Sequence, residues 1–260
     1  MYNLQKRIKR DIIILLEMKR GFDLNRNHLK LIACLSMLID HIGYVFFPYE
    51  EAFRIVGRIA MPIFAFFIGE GCLHTRDRRK YLLRLLVLAL ICQSVYIAES
   101  IITGSNNGLY LNILFTFSFS IILCSTFLRL ENENSFKNRV IFILTVTAFW
   151  GMDYLFGRIS SSVGINLQID YGIEGIILPV FAVMSRDKNK KLILFTVGLA
   201  FVAERLYGLN SPLFLFAMMS AVLLYFYNGE CGKMNLKYFF YLFYPVHLAV
   251  IYGVNMLINL

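Results

Sequence analysis

From residue 29 onward the chain alternates long apolar runs with short polar connections. The runs cover 29-47, 52-72, 81-101, 109-128, 139-157, 170-185, 192-208, 213-229 and 238-258. Most of them approach the roughly 20 residues that a helix needs to cross a bilayer, and they are too long for strands. The pattern therefore predicts an all-α fold: a polytopic transmembrane helical bundle of about nine spanning helices, occupying residues 29-260. The sixth run is irregular. Asp170 and Glu174 fall in its first turn and Pro179 in its middle, which predicts a tilted or partly re-entrant helix. Residues 1-28 read differently. Leu4, Ile8, Ile12, Leu15 and Leu16 recur at helical spacing with Lys6, Arg7, Lys9 and Arg10 largely off that stripe. This describes either a basic amphipathic arm lying on an anionic lipid surface or a frayed basic tail.

Composition agrees with a membrane class: 58% of the 260 residues are hydrophobic and only 17% charged, against about 25% charged in soluble domains. The net charge of +9 does not imply a nucleic-acid partner, because the basic residues lie between apolar runs instead of sharing one soluble surface. With the N-terminus in the cytoplasm, almost all Lys and Arg outside the spans fall on the cytoplasmic side, and the outer connections hold only Arg158. The predicted location is a bacterial inner membrane, multi-pass, with a cytoplasmic N-terminus and no cleavable leader. The five cysteines fit no metal-ligand spacing; neither a metal nor a disulfide is expected.

Charges inside apolar runs demand a reason, since each costs about 2.5 to 3.5 kcal/mol at a helix centre on insertion scales. Asp40 and His41 lie in the first run and Arg54 and Arg58 in the second, all at one predicted depth. Arg54 and Arg58, four apart, share a helix face, while adjacent Asp40 and His41 diverge by roughly 100 degrees. Asp40 is thus placed to neutralise an arginine and His41 to act as a general base. A buried ion pair that only fixes helix register fits the same charges. Pro62 leaves the carbonyl of Arg58 without its helical donor, which predicts a kink beside the two cations.

A second concentration, His74, Arg76, Arg79, Tyr81 and Arg84, surrounds the connection between the second and third runs. It reads as positive-inside topology or as a site for the phosphates of a ligand such as coenzyme A. Further polar positions are candidates for substrate contact or for structural roles. Asp170 and Glu174 suit either a helix N-terminus or a cationic amine, Asn112 either a substrate or interhelical glue, and His247, two residues after Pro245, either a site or a satisfied core position.

The stretches LKLIACLSMLIDHIG (29-43), RIVGRIAMPIFAFFIGEGCLHTRDRRKYLLRL (54-85), LNILFTFS (111-118) and KYFFYLFYPVHL (237-248) resemble the TraX family. That resemblance implies an integral membrane acetyltransferase, since the family's namesake acetylates the N-terminal amine of a conjugative pilin. It also implies kinship with acyl-CoA-dependent membrane acyltransferases, whose functional histidine in an early helix carries over onto His41 and whose following arginines carry over onto Arg54 and Arg58. The expectation is acetyl transfer from cytoplasmic acetyl-CoA, its phosphates on Arg76, Arg79 and Arg84, to an amine or hydroxyl of a peptide or glycan reached from the outer side. An alternative is a proton-coupled transporter using Asp40, Arg54, Glu174 and His247.

Overall fold

A computed structural model describes residues 23–258. Most of the predicted arm, residues 1-22, lies outside them. Among the described residues ten α-helices follow one another: α1 (Arg26–Phe46), α2 (Glu51–Gly57), α3 (Ala60–His74), α4 (Arg78–Thr103), α5 (Ile113–Asn132), α6 (Phe136–Val163), α7 (Gly172–Val183), α8 (Lys188–Tyr207), α9 (Pro212–Tyr225) and α10 (Lys237–Ile258). Two isolated parallel bridges, Leu24 with Tyr227 and Leu111 with Ile169, tie non-helical segments together. Every predicted run coincides with helix, and the chain is an all-α, multi-pass membrane protein. Among the described residues six segments are long and apolar enough to cross a bilayer: α1, α2 with α3, α4, α5, α6 and α10. The expectation of nine full spans is narrowed, because α7 and α9 have only 12 and 14 residues and α8 carries charge at both ends.

The second run is two helices, not one, and the break falls at Arg58 and Ile59. Its cause is Pro62. A proline lacks the N–H that would bond the carbonyl four residues earlier, and its ring crowds that carbonyl. The proline is tolerated because α3 restarts at Ala60, which puts it in a first turn where no such bond is needed. At the break the hydroxyl of Ser36 on α1 donates to the carbonyl of Val56 at 2.7 Å, which also accepts a longer bond of 3.4 Å from Ile59 N–H.

Helix α3 sits at the centre, packed on α1, α5, α7 and α9. It is apolar all round and buries most of its residues, as such a helix must. Opposite in character, α6 packs only on α5 and α7 among these contacts and exposes Ile143, Leu144, Trp150, Tyr154 and Leu155, the surface expected against lipid. Asp77 and Asp187 cap α4 and α8, accepting from the backbone N–H of Lys80 and Lys190. The Lys80 N–H holds the Asp77 carboxyl below the usual carboxylate range.

Candidate active site

The ionic residues of α1 and α2 meet at one place. Asp40 accepts from Arg54 Nη1 at 2.8 Å with one carboxylate oxygen and from Arg58 Nη2 at 2.9 Å with the other. This approach requires glycine at position 57, where a Cβ would lie 2.1 Å from Asp40 Oδ1. Gly43 does the same service on α1, since a Cβ there would overlap Phe53 of α2. Helices α1 and α2 thus touch backbone to side chain at two levels, and the carboxylate is pressed against both guanidinium groups.

The two arginines are nevertheless unlike. Arg58 is buried and engages Nε with the Arg54 carbonyl at 3.0 Å and Nη1 with the hydroxyls of Tyr171 and Tyr207 at 3.1 and 3.3 Å. Nearly all its donors are spent on the protein, which makes it a clamp joining α2, α7 and α8. The side chain of Arg54 is 37% exposed and contributes only Nη1 to Asp40, its guanidinium lying 5.1 Å from the Tyr44 ring centroid. Arg54 keeps donors for another molecule. Tyr171 reaches Arg58 from a left-handed backbone (φ 59°) immediately before α7, a conformation uncommon outside glycine and worth about 1 to 2 kcal/mol of strain.

His41 points its Nδ1 at His247 Nε2 on α10, 2.9 Å away. His247 Nδ1 in turn donates to the Phe243 carbonyl at 2.7 Å. Asp40, His41, Arg54 and Arg58 all line one cavity of about 750 Å³, within the range typical of ligand pockets. His247 stands behind His41 and does not line it. Asp170 does line the cavity. Its Oδ1 accepts from the Tyr110 hydroxyl at 2.7 Å, and no cation pairs with it among the described residues.

The lining also includes the side chains of Phe64, Leu88, Phe117 and Tyr244 and, toward the start of α1, a basic stretch, the mouth. The mouth carries Arg26 and Lys30 from the start of α1 and Lys233 and Lys237 from the segment entering α10. Backbone bonds hold these two stretches together: Leu24 N–H to Phe226 O, Asn228 N–H to Leu24 O and Arg26 N–H to Glu230 O. None of the four cations pairs with a carboxylate among the described residues. Lys30 Nζ lies 5.5 and 5.4 Å from the Phe67 and Phe240 ring centroids. Arg26 Nε is buried without a partner in hydrogen-bond geometry among the described residues, as is the neighbouring Tyr227 hydroxyl.

The other sequence-derived candidates lie elsewhere. Of the group after α3, only Tyr81 lines the cavity; His74, Arg76, Arg79 and Arg84 are exposed, and His74 Nδ1 donates to the Glu70 carbonyl. Glu70 forms a buried ion pair with Lys191 of α8. Asn112 is the N-cap of α5, accepting from Leu114 N–H and donating to Ala89 O and Gln93 Oε1, so its carboxamide is fully employed in structure. Glu174 faces Arg205 at 3.8 Å and stands off the cavity lining. Among the described residues no group of three or more His, Cys, Asp and Glu has metal-binding geometry. Sequence reasoning missed Tyr171, Tyr207 and Tyr110, and it counted Arg26, Lys30, Lys233 and Lys237 only as topology signals.

A multi-pass helical bundle enclosing an ionic cluster, a histidine and a long cavity is a membrane protein organised around an internal site. The family model described as TraX protein matches residues 25–255, and the chain belongs to the TraX family. It is 29% identical to the probable fimbrial assembly protein FimC, serogroup H1, of Dichelobacter nodosus, over 93% of this chain and all of that protein. It is also 54% identical, over 41 residues covering 16% of each chain, to an uncharacterized protein of Rickettsia prowazekii strain Madrid E. No solved structure matches.

Proposed function

We propose that this protein is an acetyl-CoA-dependent acetyltransferase of the bacterial inner membrane, with its N-terminus and the basic mouth facing the cytoplasm. The observation that carries the reading is one cavity lined both by His41, Asp40 and Arg54 and by four cations that lack carboxylate partners among the described residues. Lys30 and His41 are eleven residues apart on α1, about 16 Å along the helix at 1.5 Å per residue. An anionic ligand with a long, slender arm fits that distribution, phosphates at the mouth and a reactive end beside His41. Acetyl-CoA would supply the activated thioester. Arg26, Lys30, Lys233 and Lys237 would hold its phosphates in place of the exposed Arg76, Arg79 and Arg84.

At the far end His41 removes the proton of the acceptor's N–H or O–H as that atom bonds to the acetyl carbon. The carbon–sulfur bond breaks, and His41 returns the proton to the departing sulfur. Arg54, with donors to spare, faces the negative charge gathering on the acetyl oxygen, while Arg58 keeps Asp40 and Arg54 in register. The carboxylate of Asp170, without a cationic partner among the described residues, favours an amine as the acceptor. It attracts the ammonium form and takes its first proton, leaving the neutral amine whose lone pair attacks and whose second proton passes to His41. The similarity to a protein named for fimbrial assembly favours a pilin-type peptide over a glycan, reached from the outer side.

The test is reconstitution of the purified protein in liposomes with labelled acetyl-CoA at the basic face and a membrane extract supplying acceptors. The expected result is covalent label on a peptide amine. Flux of a solute without consumption of acetyl-CoA, or no binding of acetyl-CoA at all, would overturn the reading.

A further inference from the structure

General bases that rely on histidine need one ring nitrogen free of its proton and aimed at the substrate, and the other nitrogen's hydrogen bond selects which one. In many sites a carboxylate makes that selection. Here the neighbouring carboxylate does not: Asp40 turns to Arg54 and Arg58 and diverges from His41 around the helix, while His41 Nδ1 meets His247. The task falls to α10.

We infer that His247 is a positioning residue that fixes the proton of His41 on Nδ1 and leaves Nε2 as the nitrogen available to a molecule in the cavity. The argument is a proton count along one chain. The Phe243 carbonyl can only accept, so the 2.7 Å contact places a proton on His247 Nδ1. In a neutral ring His247 Nε2 then carries a lone pair. The 2.9 Å contact between the two imidazoles holds one proton, and that proton belongs to His41 Nδ1. His41 Nε2 is left unprotonated.

A backbone carbonyl at the end of the chain makes the arrangement one-way, since reversing it would require the carbonyl to donate. Packing holds the relay in place. The His247 ring stacks on Phe243 at 4.9 Å and stands edge-on to Tyr244 at 5.3 Å, while its separation from the His41 ring is 5.0 Å. When His41 takes a proton on Nε2, its Nδ1–H remains bonded to His247, and that bond gains charge assistance. The tautomer follows from the contacts alone. Its catalytic use rests on the acetyl-transfer reading.

The experiment is nitrogen-15 solid-state NMR of histidine-labelled protein in lipid bilayers, with the four histidines assigned by single substitution. In the wild type, His41 should show a protonated Nδ1 and a bare Nε2. His247→Gln, whose side-chain oxygen can accept in place of Nε2, should preserve that tautomer and keep turnover within about 10-fold; His247→Ala should lose the tautomer and lower turnover about 100-fold with an unchanged KM for acetyl-CoA. A wild-type His41 protonated on Nε2 overturns the inference, as does an unchanged spectrum and turnover in His247→Ala. If His247→Ala does not fold, the wild-type spectrum and the Gln variant decide alone. The expected tautomer without acetyl transfer by the wild type supports the relay and overturns only the acetyl-transfer reading.

Discussion

At the far end of the cavity Asp40, Arg54 and Arg58 are held at 2.8 and 2.9 Å, and Tyr171 and Tyr207 close the remaining sides of Arg58. At the basic mouth Arg26, Lys30, Lys233 and Lys237 line the same cavity without a carboxylate among the described residues. The first set is paired within the fold, with spare donors only on Arg54, and the second has no such pairing. A charge whose partner is built in serves geometry, because breaking a buried pair costs several kcal/mol. A charge left without one serves binding, and its effect weakens with salt.

Substitution can break that contrast or sharpen it. The largest effect is expected at His41, which belongs to neither set of ions: His41→Ala should lower acetyl transfer by at least about 10³-fold while the protein stays folded in the membrane. Labelled-acetate incorporation measures the loss, and wild-type turnover would remove His41 from the chemistry. Next come the two arginines, which should separate. Arg58→Ala should cost about 3 to 5 kcal/mol of stability by removing the buried partner of one Asp40 oxygen and of two tyrosines, read as a lowered midpoint of thermal unfolding in detergent. Arg54→Ala should cost about 1 kcal/mol, yet slow transfer about 100-fold. Equal stability losses would erase the distinction between clamp and contact.

At the mouth the effects should be smaller. Lys30→Ala and Lys237→Ala should each weaken acetyl-CoA binding about 10-fold, an effect that fades at high salt; equilibrium binding at two ionic strengths checks both. The smallest change should be at Arg76 and Arg79, where alanine should alter that affinity by less than about 2-fold. A loss as large as that of Lys30 would move the phosphate site to the α3–α4 connection.

Much of this was legible in the sequence because the bilayer makes exceptions expensive. Asp40, His41, Arg54 and Arg58 stand out in any apolar run, and Pro62 announces the break that α2 and α3 display. The mouth was hidden for the opposite reason. Basic residues flanking a span already have a sufficient cause in topology, so nothing in the order of residues separates Lys30, which lines the cavity, from Arg79, which does not. Tyr171 and Tyr207 were hidden as well. Tyrosines are ordinary in this chain, and these two reach Arg58 across 113 and 149 residues. His247 was noticed, but its partner across 206 residues depends on α10 packing against α1. Asn112 was read inside a span, although its capping of α5 is what a side-chain amide before an apolar run commonly does.

The pairing of α1 with α10 also bears on how the protein is made. The clamp draws on α1, α2, α7 and α8, so a growing chain can assemble its buried ions before it is finished. The mouth and the histidine relay both need residues from 233 to 247, which leave the ribosome after those of the clamp. A chain that has not yet reached them has the paired charges of the clamp but lacks the His247 contact of His41 and half of the basic end of the cavity.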